Sequence, residues 1–128
     1  MPHILLIEDD VDLREEICEF LMRRNHTVCD VGRLAEARLA IAERAPDVVI
    51  SDVNLPDGDG AAFWADHAPR HPTTTWVLVT GDPGAAERIR QLRCDEDVPA
   101  FVLLAKPVSM RMLEECVRMR KDATVATS

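Results

Sequence analysis

The sequence predicts an α/β fold with a parallel sheet and helices on both faces. Three observations predict it. Five short apolar runs alternate with five segments of helical period. Three of the runs are apolar without polar alternation, as in strands covered on both sides. The alternation fills about 120 of the 128 residues, the size of one ordinary domain.

Each element follows in order. Ile4-Leu5-Leu6-Ile7 reads as the first strand and stops abruptly at Glu8-Asp9-Asp10. A helix follows, with Leu13, Ile17, Phe20 and Leu21 on one face. Residues 27–31 read as a weaker strand. The Ala-rich segment 34–45 is a good helix former, with Leu34, Ala37, Ile41 and Ala45 on one side. The third run, Val48-Val49-Ile50, leads into Ser51-Asp52 and a loop of turn residues from Asn54 to Gly60. A short helix is expected over 61–68. Trp76-Val77-Leu78-Val79 is the fourth run, ending at Thr80-Gly81-Asp82. Pro83 suits a first helical turn, with Ala86, Ile89 and Leu92 inward, and the polar stretch 93–97 breaks that helix. Phe101-Val102-Leu103-Leu104 is the fifth run and ends at Lys106-Pro107. Ser109 can cap a last helix carrying Met110, Leu113 and Val117 inward. The expected domain spans residues 1–121, followed by a small polar tail at 122–128.

Composition narrows the function. Hydrophobic residues make up 47 % and charged residues 30 %, an ordinary globular balance. A formal net charge of −8 argues against nucleic acid and against anionic membrane as partners. Cys18, Cys29, Cys94 and Cys116 show no zinc-ligand spacing and read as small reduced core hydrophobes. Nothing reads as a signal peptide or a membrane span, which fits a reducing cytoplasm.

The chemistry lies at the carboxyl ends of the strands. Glu8 and Asp9 follow the first, Asp52 ends the third, Thr80 the fourth, and Lys106 follows the fifth. Open α/β sheets bind ligands at that edge, where strand order reverses. If the order is 2-1-3-4-5, Glu8, Asp9 and Asp52 form one acidic cluster. Close carboxylates repel by ~4 kcal/mol per pair at an effective surface dielectric. A hard divalent cation would compensate, and Mg²⁺ suits the task because it accepts one or two carboxylates and a phosphoryl oxygen. Lys106 brings a positive charge, Thr80 a hydroxyl, and the backbone amides near Val53 and Gly81 further donors. Together they surround a place for a transferring phosphoryl group on an Asp52 oxygen.

The stretches Ile4–Asp10, Asp47–Gly60, Val77–Gly81 and Leu104–Pro107 resemble the receiver domain of bacterial two-component response regulators. The resemblance covers roughly residues 2 to 121. It implies a flavodoxin-like, doubly wound five-stranded sheet of order 2-1-3-4-5. It implies that Asp52 is the phosphoacceptor, and that Asp9 is a direct metal ligand with Glu8 acting partly through water. Asn54 would offer its backbone carbonyl to the Mg²⁺, and Thr80 and Lys106 would meet the phosphoryl group. Pro107 would follow a cis peptide, and Gly60 would end the loop. The implied partner is a sensor histidine kinase or a histidine phosphotransfer protein, with a possible downstream protein. The protein would then be a switch or phosphorelay shuttle that turns over its own aspartyl phosphate, and not an enzyme. Nothing after residue 121 reads as a helix-turn-helix or a basic segment, so no output domain is expected in this sequence. Two positions depart from the family. Leu103 stands where Tyr or Phe is usual, and Val108 where an aromatic residue commonly follows Lys-Pro. Both lie toward the output side.

The same residues admit other readings. Asp10 and Asp12 suit the first turn of a helix. Asp57-Gly58-Asp59-Gly60 lacks the ligand series of a calcium loop and reads as a turn. His3, His26, His67 and His71 read as surface or strand-edge residues, and Trp64 and Trp76 as partly buried packing groups. A haloacid-dehalogenase-like phosphatase would place its nucleophile after the first strand in D-x-D-x-T, and residues 8 to 12 read Glu-Asp-Asp-Val-Asp. A receiver-like interaction module that is never phosphorylated would not need the acidic pair, Asp52, Thr80 and Lys106.

Overall fold

The computed structural model describes residues 2–82, 84–92 and 101–118. In chain order it has β1 (His3–Ile7), α1 (Val11–Arg23), β2 (Thr27–Val31), α2 (Leu34–Glu43) and β3 (Val48–Asp52). A small hairpin pairs Asn54–Leu55 with Gly58–Asp59. Then come α3 (Gly60–His67) with a 3-10 turn at Ala68–Arg70, β4 (Thr75–Thr80), α4 (Ala85–Leu92), β5 (Phe101–Ala105) and α5 (Met110–Arg118). The five long strands form one parallel sheet of order β2-β1-β3-β4-β5. The doubly wound fold and its strand order are therefore as expected.

Strand alternation divides the core in two. Leu5, Ile7, Val49, Trp76 and Leu78 face Leu34, Ala37 and Ile41 of α2, Phe63 and Trp64 of α3, and Ile89 of α4. Ile4, Leu6, Val48, Ile50, Val77 and Val79 face Ile17 and Leu21 of α1 and Leu113 and Val117 of α5. In α1, α2 and α5 these residues recur at three and four positions, which sets them on one side of the helix. β1, β3 and β4 are covered on both faces, and the edge strands β2 and β5 are half exposed.

Several expectations are corrected. α2 ends at Glu43, because Arg44 is already extended (φ −151°, ψ 119°), so Ala45 lies beyond the helix and is exposed. Pro46 disfavours helical backbone in the residue before it. Trp64 and Trp76 are fully buried rather than partly so. Their rings fill the α3 side, Trp64 edge-on to Phe101 at 4.8 Å and Trp76 beside Phe63 at 6.2 Å between centroids. His3 and His67 are buried too. His67 stacks on Phe63 at 4.1 Å one helical turn away, and His3 starts the interior strand β1. Burial pushes the pKa of both below the ordinary histidine value. Cys18, Cys29 and Cys116 are free thiols at the half-buried margin of the core, where burial raises their pKa. The expectations for Pro83, for the side chains of Ala86 and Leu92, for residues 93–97 with Cys94, and for the tail at 122–128 lie outside the described residues.

Candidate functional site

β1 hands over to α1 across Glu8, Asp9 and Asp10. The Glu8 N–H donates to the Val31 carbonyl at 3.0 Å, extending the β1–β2 ladder one step beyond Ile7. Asp10 caps α1, its carboxylate accepting the Leu13 N–H at 3.2 Å, and Asp12 stands in the first turn. The helix-terminus reading of Asp10 and Asp12 holds, and it leaves Glu8 and Asp9 facing the sheet edge.

Carboxylate oxygens of Glu8, Asp9 and Asp52 lie within 4.8 Å of one another. Glu8 and Asp52 are buried and Asp9 is exposed. Lys106 Nζ donates to Asp52 Oδ2 at 2.8 Å and stands 3.5 Å from Glu8 Oε1. The Asp10 N–H donates to Glu8 Oε2 at 3.1 Å. Burial pushes the Glu8 carboxyl up to about 7; the Asp10 amide and Lys106 oppose this, and the Asp52 charge adds to it. Burial alone would lower the Lys106 pKa, but Asp52 and Glu8 outweigh it and hold the ammonium above its ordinary value.

The Asp52 carboxylate is aimed by its own loop, with Oδ1 accepting the Asn54 N–H at 3.2 Å. Behind it, Gly60 approaches so closely that a Cβ there would sit 2.0 Å from the Asp52 carbonyl oxygen. Of the amides near Val53 that were expected to face the cluster, that of Asn54 meets Asp52, while that of Val53 itself does not face it. The Val53 N–H donates to the Val79 carbonyl at 2.9 Å and so belongs to the β3–β4 ladder. Thr80 is buried at the end of β4, one step past the Asp52↔Val79 pair. Its Oγ1 accepts the Asp82 N–H at 2.9 Å, which leaves its own proton free to donate. The Lys106 N–H donates to the Thr80 carbonyl at 2.8 Å, and the Lys106–Pro107 peptide is cis. The structure thus gathers Glu8, Asp9, Asp52 and Lys106 directly. Thr80 joins them only through backbone, and Asn54 through its amide.

Sequence reasoning missed what the turn 57–60 does. The Asp57 carboxylate accepts the N–H groups of Leu34 and Ala35 at 2.9 and 3.0 Å, and these bonds hold its pKa below the usual carboxylate range. Asp59 caps α3 by accepting the Ala61 N–H at 2.8 Å and pairs with Arg88 of α4. The loop after Asp52 is therefore fastened to three helices. One signal was available: Arg33 precedes α2 and offers no capping side chain, so the first amides of that helix needed a partner from elsewhere.

The family profile of the response regulator receiver domain matches residues 4–118. Transcriptional regulatory protein GltR of Pseudomonas aeruginosa is 33% identical over 112 residues, covering 86% of this chain and 45% of that protein. Response regulator protein PilR of the same organism is 30% identical over 113 residues, covering 88% of this chain and 24% of that one. The chain thus spans between about a quarter and a half of these relatives. Among solved structures, the signal receiver domain of an HD domain-containing protein from Pseudomonas fluorescens Pf-5 superimposes with a TM-score of 0.82, at 26% identity over 98% of both chains. The non-phosphorylated HemR receiver domain from Leptospira biflexa does so with a TM-score of 0.77, at 28% identity over 94% of both.

Proposed function

Because the chain belongs to the response regulator receiver domain family, we propose that Asp52 is its phosphoacceptor and that Glu8, Asp9 and Asp52, with the Asn54 backbone carbonyl, hold Mg²⁺. The domain itself is a phosphorylatable receiver of two-component signalling. The observation that supports the residue assignment is the set of three carboxylates within 4.8 Å, one of them paired with Lys106 at 2.8 Å. The donor set fits a hard cation: all ligands are oxygens, two are buried, and one lysine cannot neutralise three carboxylates. When bound, Mg²⁺ supplies charge neutralisation for the phosphoryl oxygens.

The chain's own residues do the rest. An Asp52 carboxylate oxygen attacks the phosphorus of a phosphohistidine on a histidine kinase or phosphotransfer protein. The P–N bond breaks, its electron pair stays on the imidazole nitrogen, and the PO₃ group becomes an aspartyl phosphate. Lys106, already shared between Asp52 and Glu8, offsets the charge that arrives. The Thr80 hydroxyl donates to a phosphoryl oxygen. Water later attacks the phosphorus, the P–O bond to Asp52 breaks with its electron pair returning to the carboxylate, and inorganic phosphate leaves. The protein acts on its own phosphate and not on an external substrate. A cytoplasmic setting agrees with the free thiols of the three described cysteines, and no described helix is long and apolar enough to cross a membrane.

The test is binding of beryllofluoride, a phosphoryl mimic, in the presence of Mg²⁺. Wild type should bind it and Asp52→Asn should not. Transfer of label from a phosphodonor to Asp52→Asn at the wild-type rate would sink the assignment.

A further inference from the structure

We propose that Arg14 is a positioning residue of this site, setting the peptide that joins Glu8 to Asp9 and hence the direction of both carboxylates. Arg14 lies in the first turns of α1, where its N–H donates to the Asp10 carbonyl at 2.8 Å. Its side chain turns back over the β1–α1 connection, and Nη1 donates to the Glu8 carbonyl oxygen at 3.0 Å. Nε stands 3.3 Å from Asp30 Oδ2 on β2. The guanidinium passes over Gly32, where a Cβ would meet Nη1 at 2.5 Å.

The consequence is geometric. The Glu8 N–H is held by Val31 at 3.0 Å and its C=O by Arg14, so the Glu8 backbone is gripped from both sides. The two acids turn relative to each other by rotation about the bonds that flank the planar peptide between them. Arg14 fixes that peptide without occupying a carboxylate oxygen, so every ligand atom stays available. Its positive charge is paired with Asp30 on β2 and by itself would oppose a cation at the acidic cluster, so Arg14 acts by geometry and not by charge. A lysine would bring that charge but not a planar fork that reaches a carbonyl and Asp30 together. Gly32 then has a specific role: it leaves the space through which the guanidinium reaches Glu8.

The inference rests on the reading that Glu8, Asp9 and Asp52 bind Mg²⁺. The experiment is calorimetric titration of the purified chain with MgCl₂ for wild type, Arg14→Ala, Arg14→Lys, Gly32→Ala and the double variant Arg14→Ala/Gly32→Ala. Thermal unfolding in EDTA runs alongside as the measure of fold alone. Arg14→Ala should weaken Mg²⁺ binding about 10-fold, as loss of an orienting partner around a metal typically does. Gly32→Ala should weaken it similarly by displacing the guanidinium, and should add nothing in the Arg14→Ala background. Arg14→Lys should recover only part of the loss. If Arg14→Ala fails to fold, Gly32→Ala and Arg14→Lys carry the test. Wild-type affinity in these variants, full rescue by lysine, or equal loss from Gly32→Ala in both backgrounds would overturn the proposal. A wild type with no Mg²⁺ binding that Asp52→Asn removes would instead overturn the reading of the site itself.

Discussion

The two halves of the sheet edge are built differently. On the β1–β3 half, each acidic side chain sits on fixed backbone. Glu8 is in the β1–β2 ladder, Asp10 caps α1 beside it, Asn54 directs Asp52, and Gly60 packs against the Asp52 carbonyl. On the β4–β5 half, the edge strand that leads to Lys106 is less enclosed, and Lys106 is anchored by the carboxylates it faces. Thr80 Oγ1 engages one amide, the Lys106 side chain is 30% exposed, and β5 is half exposed along its length. Leu103 is half-buried there against the α2–α4 core. Phe101, the one ring on that strand, is committed to Trp64. The half proposed to bind Mg²⁺ is thus preformed, while β5 lacks a free aromatic ring with two distinct resting places. A switch responds only through differential interaction with its two states. The chemistry and the readout of this domain should therefore be separable by mutation.

The largest effect is expected on the preformed half. Asp9→Ala should weaken Mg²⁺ binding by more than the ~10–100-fold that loss of an outer partner costs. Asp10→Ala should leave the affinity near wild type and cost about 1 kcal/mol of stability as a lost helix cap. Titration of both variants decides the register of the first strand. A reversed order would show that the acidic pair is one residue out.

Next comes Glu8. Its folded pKa of about 7 lies above the ordinary 4.5, so its contribution is complete below that ordinary value and is lost as pH rises through about 7. Metal-free wild type should lose stability relative to Glu8→Gln between about pH 5 and about pH 8, by on the order of 1–2 kcal/mol. Mg²⁺ should shrink that difference. Chemical denaturation across pH with EDTA or Mg²⁺ measures it, and a flat difference would mean that Glu8 is not desolvated.

A smaller effect is expected where the halves meet. Asn54 and Asp82 are exposed two residues past Asp52 and Thr80, where side chains can reach the path of an attacking water. Bulky apolar residues at both should lengthen the life of the phosphoprotein several-fold, or ~1 kcal/mol of barrier. The decay of labelled protein gives the rate. The smallest effect belongs to the β4–β5 half. Leu103→Ala should change the effect of beryllofluoride on partner affinity by less than ~1 kcal/mol. Loss of most of a strong coupling would show that this leucine does serve as the switch.

The sequence made the central strands legible, because buried parallel strands are runs of apolar residues and each run stops at a polar group. That same stop exposed Glu8, Asp9, Asp52, Thr80 and Lys106. What it hid depended on distant packing. Nothing near Trp64 announces that Phe101 will lie against it, and nothing near His67 shows how deeply α3 sinks. The Val53 amide turns away from the cluster because ladder pairing beyond Asp52 is a property of two strands, not of one. Asp57 was read as part of a turn because its partners, Leu34 and Ala35, lie 23 and 22 residues earlier.

That long reach has a consequence for how the chain assembles. α2 has no side-chain cap of its own, so its first turn is completed only when Asp57 arrives, after β3 and the hairpin are in place. Closing a loop of this length costs chain entropy before any bond compensates for it. The first turn of α2 is therefore expected to form late in folding and to open early. The Leu34 and Ala35 amides should exchange their hydrogens together with the hairpin, not with the rest of their own helix.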